Sequence, residues 1–80
     1  MEYSKTITVY GANWCSDCRR SKRLLDSKNI NYQWIDVDNN EKALETVKSL
    51  NNGKRIIPTI VFPDGDILVE PTDSELSAKL

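Results

Sequence analysis

The stretch NWCSDCRR (13–20) holds both cysteines of the chain, Cys15 and Cys18, and the sequence contains no histidine. Two thiols at this spacing can serve a few chemistries. A structural zinc site takes four Cys or His ligands, with acids as occasional substitutes. Two thiols without an imidazole do not fill such a site within one chain, although one shared between two chains stays open. A disulfide staple restricts the unfolded chain most when it closes a long loop. Here it would close a turn that a helix already holds, in a tight ring expected to be strained and reducible. Two buried apolar cysteines fit poorly as well, because Cys15 follows a turn at a helix start, where side chains reach solvent. Reversible thiol–disulfide exchange remains. A helix N-terminus favours the thiolate of Cys15. Cys18, one turn on, can attack a mixed disulfide formed at Cys15. The spacing therefore assigns Cys15 as the attacking thiol and Cys18 as the resolving one. The local charge is mixed, since Arg19 and Arg20 favour a thiolate and Asp17 opposes it.

The elements that must position this pair follow from the apolar pattern. Residues 5–10, KTITVY, alternate as a strand, and Gly11-Ala12-Asn13 reads as a turn. A helix is expected from about Cys15 to Lys28, with Cys18, Leu24 and Leu25 on one face. The run Arg19, Arg20, Lys22 and Arg23 forms its solvated side. Ser16 and Asp17 suit a first helical turn. NYQWIDV (31–37) reads as a second strand, with Trp34 as plain packing. Asp38-Asn39-Asn40 supplies a turn and cap. Ala43, Leu44, Val47 and Leu50 mark an amphipathic helix ended by Asn51-Asn52-Gly53. TIVF (59–62), the turn PDG (63–65) and DILVE (66–70) form a hairpin. Thr72-Asp73-Ser74-Glu75 caps a short last helix carrying Leu76 and Leu80. The order β-α-β-α-β-β-α implies an α/β fold, with a four-stranded mixed sheet flanked by helices.

Eighty residues form a single expected domain, 1–80. Eleven basic residues stand against 12 acidic ones, for a net charge of −1. That balance argues against nucleic acid or a membrane surface as partner. No apolar run is long enough to span a bilayer. MEYSKTITVY shows no apolar signal core. A reducing cytoplasm is therefore expected, where a permanent disulfide is not.

These residues resemble a known family. VYGANWCSDCRRSKRLLDSKNI (9–30), YQWIDVD (32–38), IIPTIVFPDGDILVEP (56–71) and DSELSAKL (73–80) look like a glutaredoxin, within the thioredoxin-like superfamily. The WCxxC start and the PDG…L…P ending look closest to mycoredoxin-like glutaredoxins. The resemblance covers nearly the whole chain and implies a thioredoxin-like fold and a dithiol–disulfide oxidoreductase. Cys15 then resembles the family nucleophile and Cys18 its resolving cysteine. Pro58 resembles the family's cis-proline, and the preceding Ile57 would pair its backbone with substrate. No tightly bound cofactor or metal is implied. The implied reductant is a low-molecular-weight thiol, glutathione or mycothiol-like. Disulfide-containing proteins, small thiols and a flavin disulfide reductase are the implied partners, and a monomer is expected.

The chain also departs from the family pattern. Ser16 and Asp17 replace the usual Pro-Tyr between the cysteines. The glycine pair that precedes the glutathione-capping acids is replaced in EPTDSEL (70–76), where Thr72, Asp73 and Ser74 still offer acceptors and N–H groups. Another small thiol or a protein substrate thus stands beside glutathione. Where thioredoxins carry a buried acid before the active site, this chain has Val9. Trp14 reads either as an apolar rim for an incoming disulfide or as partial packing against the sheet. Lys54 and Arg55, just before Ile57-Pro58, either attract a carboxylate of the thiol or solvate a loop. Two other functions compete with the exchange enzyme. One is an iron–sulfur carrier in which two chains use their Cys15 thiolates with glutathione. The other is a thioredoxin-like general protein reductase.

Overall fold

Strand β1 (Ile7–Gly11) alternates buried and half-buried side chains and lies inside a four-stranded sheet of order β2-β1-β3-β4. The computed structural model describes residues 6–80, so Lys5 of the expected first strand lies outside the described residues. After β1 come α1 (Ser16–Ser27), β2 (Tyr32–Asp36), α2 (Glu41–Leu50), β3 (Thr59–Val61), β4 (Ile67–Val69) and α3 (Asp73–Lys79). β1 pairs with β2 in parallel and with β3 antiparallel, and β3–β4 is an antiparallel hairpin. The element order and the mixed sheet agree with the sequence reading. Among the described residues no helix is long and apolar enough to cross a membrane.

Both faces of the sheet are covered, as a parallel pair requires. Val9 packs with Leu25 of α1, Ile60 of β3 and Leu76 of α3. Its neighbour Tyr10 points to the other face and joins Val37, Ala43 and Val47, the last two on α2. Adjacent strand residues thus serve two cores, and the cysteine pair belongs to the second of them. Asn40 caps α2 through its side chain, which accepts from the Ala43 N–H at 3.0 Å. Thr72 and Glu75 form a capping box at α3.

The structure differs from the sequence reading at several edges. Gly11 is the last residue of β1 rather than part of a turn, and Ala12 after it is fully buried. The second strand stops at Asp36, because the Asp36 carboxylate accepts from the Asp38 N–H at 2.9 Å and winds Val37–Asn39 into a short 3-10 turn. Leu24 is only partly buried, leaving Cys18 and Leu25 as the buried apolar residues of α1. Leu80 lies one residue beyond α3 and is exposed.

Candidate active site at the Cys15–Cys18 turn

Cys15 is the N-cap of α1, with extended backbone angles, rather than a residue of its first turn. Its own N–H donates to the Ala12 carbonyl at 3.2 Å, and its sulfur fills the place that a Ser or Asp oxygen takes in other caps. The Cys18 backbone N–H donates to Cys15 Sγ at 3.2 Å. The sulfur thus sits at the helix N-terminus, on a backbone N–H that the helix itself leaves unpaired. Both cysteines are free thiols. Cys15 is 8% exposed and Cys18 fully buried, so the sequence expectation that Cys15 reaches freely into solvent is corrected. Ala12, whose carbonyl holds the Cys15 N–H, is itself fully buried.

The two thiols stand in unequal surroundings. Burial first, and then a hydrogen bond to Cys15, push the Cys18 thiol up to about 12 from an ordinary 9.0. Cys18 is therefore a neutral donor at physiological pH. Under limiting alkylation near neutral pH, iodoacetamide is expected to modify Cys15 first, read by peptide mass spectrometry. Modification of Cys18 first would reverse the two roles.

The raised Cys18 value also sets a pH dependence of stability. An unfolded Cys18 ionises around its ordinary 9.0, whereas the folded thiol keeps its proton until about 12. The folded state thus binds more protons in that window, and stability falls as pH rises through it. Below it the contribution is fully present. Urea midpoints of the reduced protein at about pH 8 and about pH 10.5 are expected to differ more than those of Cys18→Ser. Equal midpoint differences in the two proteins would assign the loss to other groups, such as Tyr32, whose burial and bond to Asp26 also raise its pKa.

Cys15 opens into a cleft of about 450 Å³ lined by Trp14, Cys15, Ser16, Asp17, Arg55, Ile56, Ile57 and Glu70. A larger hollow of about 500 Å³ contains no cysteine and is lined by residues such as Ile30, Phe62 and Leu80. The Ile57–Pro58 peptide bond is cis, as the resemblance implies, and Pro58 is fully buried behind Ile57. Trp14 is 62% exposed, which favours the rim over packing against the sheet. Its indole Nε1–H donates to Asp38 Oδ2 at 2.6 Å. The other Asp38 oxygen accepts from Arg55, whose guanidinium sits 5.7 Å from the Trp14 ring centroid. Asp38 thus ties two walls of the cleft together.

Several expected binding residues lie elsewhere. Lys54 is exposed and does not line the cleft, although its neighbour Arg55 does. Thr72, Asp73 and Ser74 do not line it either. The Thr72 hydroxyl is taken by the α3 capping box, and Asp73 pairs with Arg20 at 3.6 Å. Arg20 also pairs with Asp17 at 3.2 Å. Of the charges expected to compete here, Asp17 and Arg20 pair with each other, yet the Asp17 charge still contributes to raising the Cys18 thiol. Sequence reading missed Asp38 and Glu70.

Comparison with known proteins agrees with this arrangement. The glutaredoxin family model matches residues 7–68. Mycoredoxin 1 of Corynebacterium glutamicum is 42% identical over 74 residues, covering 92% of this chain and 91% of the relative. A Mycobacterium tuberculosis protein described as a glutaredoxin is 40% identical over 74 residues, covering 92% and 88%. The crystal structure of a glutaredoxin from Archaeoglobus fulgidus superposes with a TM-score of 0.79 at 22% identity, over 92% of this chain and 84% of that one. NrdH-redoxin from Escherichia coli superposes at 0.78 with 23% identity, over 91% and 92%. The fold is thioredoxin-like. The matched span takes in both thiols, the cis bond at Pro58 and most of the β3–β4 hairpin. On that footing the chain belongs to the glutaredoxin family of thiol–disulfide oxidoreductases.

Proposed function

We propose that this protein reduces mixed disulfides and protein disulfides through Cys15 and Cys18, with a mycothiol-like small thiol as its reductant. The observation that carries the reading is the asymmetric pair: a cap sulfur at the cleft receiving the Cys18 N–H at 3.2 Å, above a fully buried thiol. The Cys15 thiolate attacks one sulfur of the substrate disulfide. A Cys15–substrate disulfide forms, and the other half leaves as a thiolate that takes a proton from solvent. Cys18 then loses its proton and attacks Cys15 Sγ, releasing the second substrate half as a thiol. The two protein thiols are oxidised to one disulfide, and the substrate disulfide is reduced to two thiols.

The high value at Cys18 fits this order. After burial, two of the causes that raise it come from Cys15, its hydrogen bond and its charge, with a smaller one from the Asp17 charge. Both Cys15 contributions are lost once its sulfur is bonded to substrate. Cys18 then becomes easier to deprotonate at the step where it is needed, and it does not compete as a nucleophile before that. The cycle closes when an external thiol reduces the disulfide.

The choice of small thiol rests on charge. Glutathione presents two carboxylates, but the one cation lining the cleft among the described residues, Arg55, is already paired with Asp38. The 42% identity to a mycoredoxin points the same way. Ile57, ahead of the cis-proline, is placed to offer its backbone to substrate. The working state proposed is a cytoplasmic monomer. The test incubates the oxidised protein in turn with glutathione, mycothiol and a flavin thioredoxin reductase with its nicotinamide donor, and counts free thiols. Reduction by mycothiol ahead of glutathione is expected. Reduction by the flavoenzyme alone would make the protein a thioredoxin-like reductase instead.

A further inference from the structure

Glu70 lines the same cleft as Cys15, and its backbone is unusual. Its φ is +49°, in the left-handed region that non-glycine residues seldom occupy and where Glu has no special preference. A glycine would take this conformation without strain. The hairpin fixes the position. Thr59 pairs with Val69, and the next Glu70 N–H donates to the Pro58 carbonyl at 2.9 Å. The carboxylate-bearing residue is thus tied to the cis-proline whose neighbour Ile57 lines the cleft.

The other charged residues lining the cleft, Asp17 and Arg55, each have an ion-pair partner. Arg55 pairs with Asp38, and Asp17 pairs with Arg20. Among the described residues the Glu70 carboxylate has no hydrogen-bond or ion-pair partner. The cleft therefore carries a net negative charge, with Glu70 as its carboxylate that has no ion-pair partner among the described residues. Beside it the exposed Trp14 ring, with Arg55 at its face, extends an apolar platform past the cleft. That surface suits a polypeptide rather than a small thiol alone.

We propose that Glu70 is a specificity-determining residue that receives a Lys or Arg side chain flanking the reacting cysteine of a polypeptide disulfide. The proposal rests on the reading of Cys15 as the attacking thiol. An exposed charge pair is worth up to about 1 kcal/mol, or about fivefold in rate. Repulsion of an acidic flank adds a comparable factor.

The test uses short single-cysteine peptides carried as mixed disulfides with 2-mercaptoethanol, with Lys, Ala or Glu beside the cysteine. The reduced protein is mixed with each peptide, and the second-order rate is followed by chromatography. The Lys peptide is expected to react up to about 25-fold faster than the Glu peptide at low salt, with the ratio shrinking as salt rises. Glu70→Gln is expected to bring the ratio close to one, and Glu70→Lys to invert it. Glu70→Gly, which relieves the backbone, is expected to match Glu70→Gln. A ratio unchanged by Glu70→Gln, or equal rates for all three peptides with the unsubstituted protein, overturns the role of Glu70. Failure of that protein to reduce any of the peptides overturns the reading of Cys15 itself.

Discussion

Cys15→Ser is expected to lower disulfide reduction by at least about 10³-fold, to the level of uncatalysed exchange. The reason is that the step needs a sulfur that lines the cleft, and of the two cysteines only Cys15 does. Cys18 is fully buried and stays protonated, its thiol pushed up to about 12. It cannot stand in for the missing nucleophile. Cys18→Ser is expected to behave differently. It retains Cys15 and still forms the mixed disulfide, but has no internal thiol to release it. Turnover then depends on an external small thiol, so mixed-disulfide reduction persists while reduction of intramolecular protein disulfides falls away. Mass spectrometry is expected to catch the Cys18→Ser protein bonded to its substrate and to find no such adduct with Cys15→Ser. An adduct on Cys15→Ser would move the nucleophile to Cys18 and overturn the mechanism.

The parts of this site that are legible in the sequence are those encoded by local spacing. The three-residue step from Cys15 to Cys18 sets a cap and a first-turn partner. The element order follows from the alternation of β1 and the amphipathic pattern of α2. The PDG turn fixes the β3–β4 hairpin, with Gly65 at φ +93° as the turn demands. Contacts distant in the chain leave no such trace. Asp38 sits 24 residues from Trp14 and 17 from Arg55. It read as a turn residue because nothing local distinguishes a turn carboxylate from one that braces a cleft. Lys54 and Arg55 are adjacent and of like charge, yet only one faces the site, because direction depends on how the loop enters β3. Thr72, Asp73 and Ser74 carry the right donors and acceptors, but the capping of α3 and the pairing with Arg20 claim Thr72 and Asp73. Glu70 is the sharpest case. Its left-handed backbone is set by hairpin register and the Pro58 carbonyl, while the residue itself argues for an ordinary conformation.

Gly11 shows how such a position can govern chemistry without touching substrate, and its replacement carries the second large effect. As a turn glycine it would tolerate alanine or resist it for backbone reasons. As the last residue of β1 it instead backs directly onto the cysteine turn. A Cβ added there would lie 2.7 Å from Cys18 Sγ and 2.7 Å from the rim of the Trp34 ring. Real Cβ atoms do not approach so closely, so one neighbour must move. Cys18 is fully buried, and Trp34 bridges both cores while Lys22 Nζ sits 4.0 Å from its ring centroid. Overpacking of a buried site costs about 1–3 kcal/mol, which in a domain of this size lowers the melting temperature by about 5–20 °C. Displacing Cys18 Sγ is also expected to slow its attack on Cys15, so the mixed disulfide accumulates during turnover at temperatures where the variant remains folded. Thermal unfolding of the reduced protein tests the first effect, and quenched mass spectrometry of the reaction tests the second. A Gly11→Ala protein with unchanged melting temperature and no accumulated adduct would show that Trp34 swings aside freely and that Gly11 does not hold the resolving thiol in place.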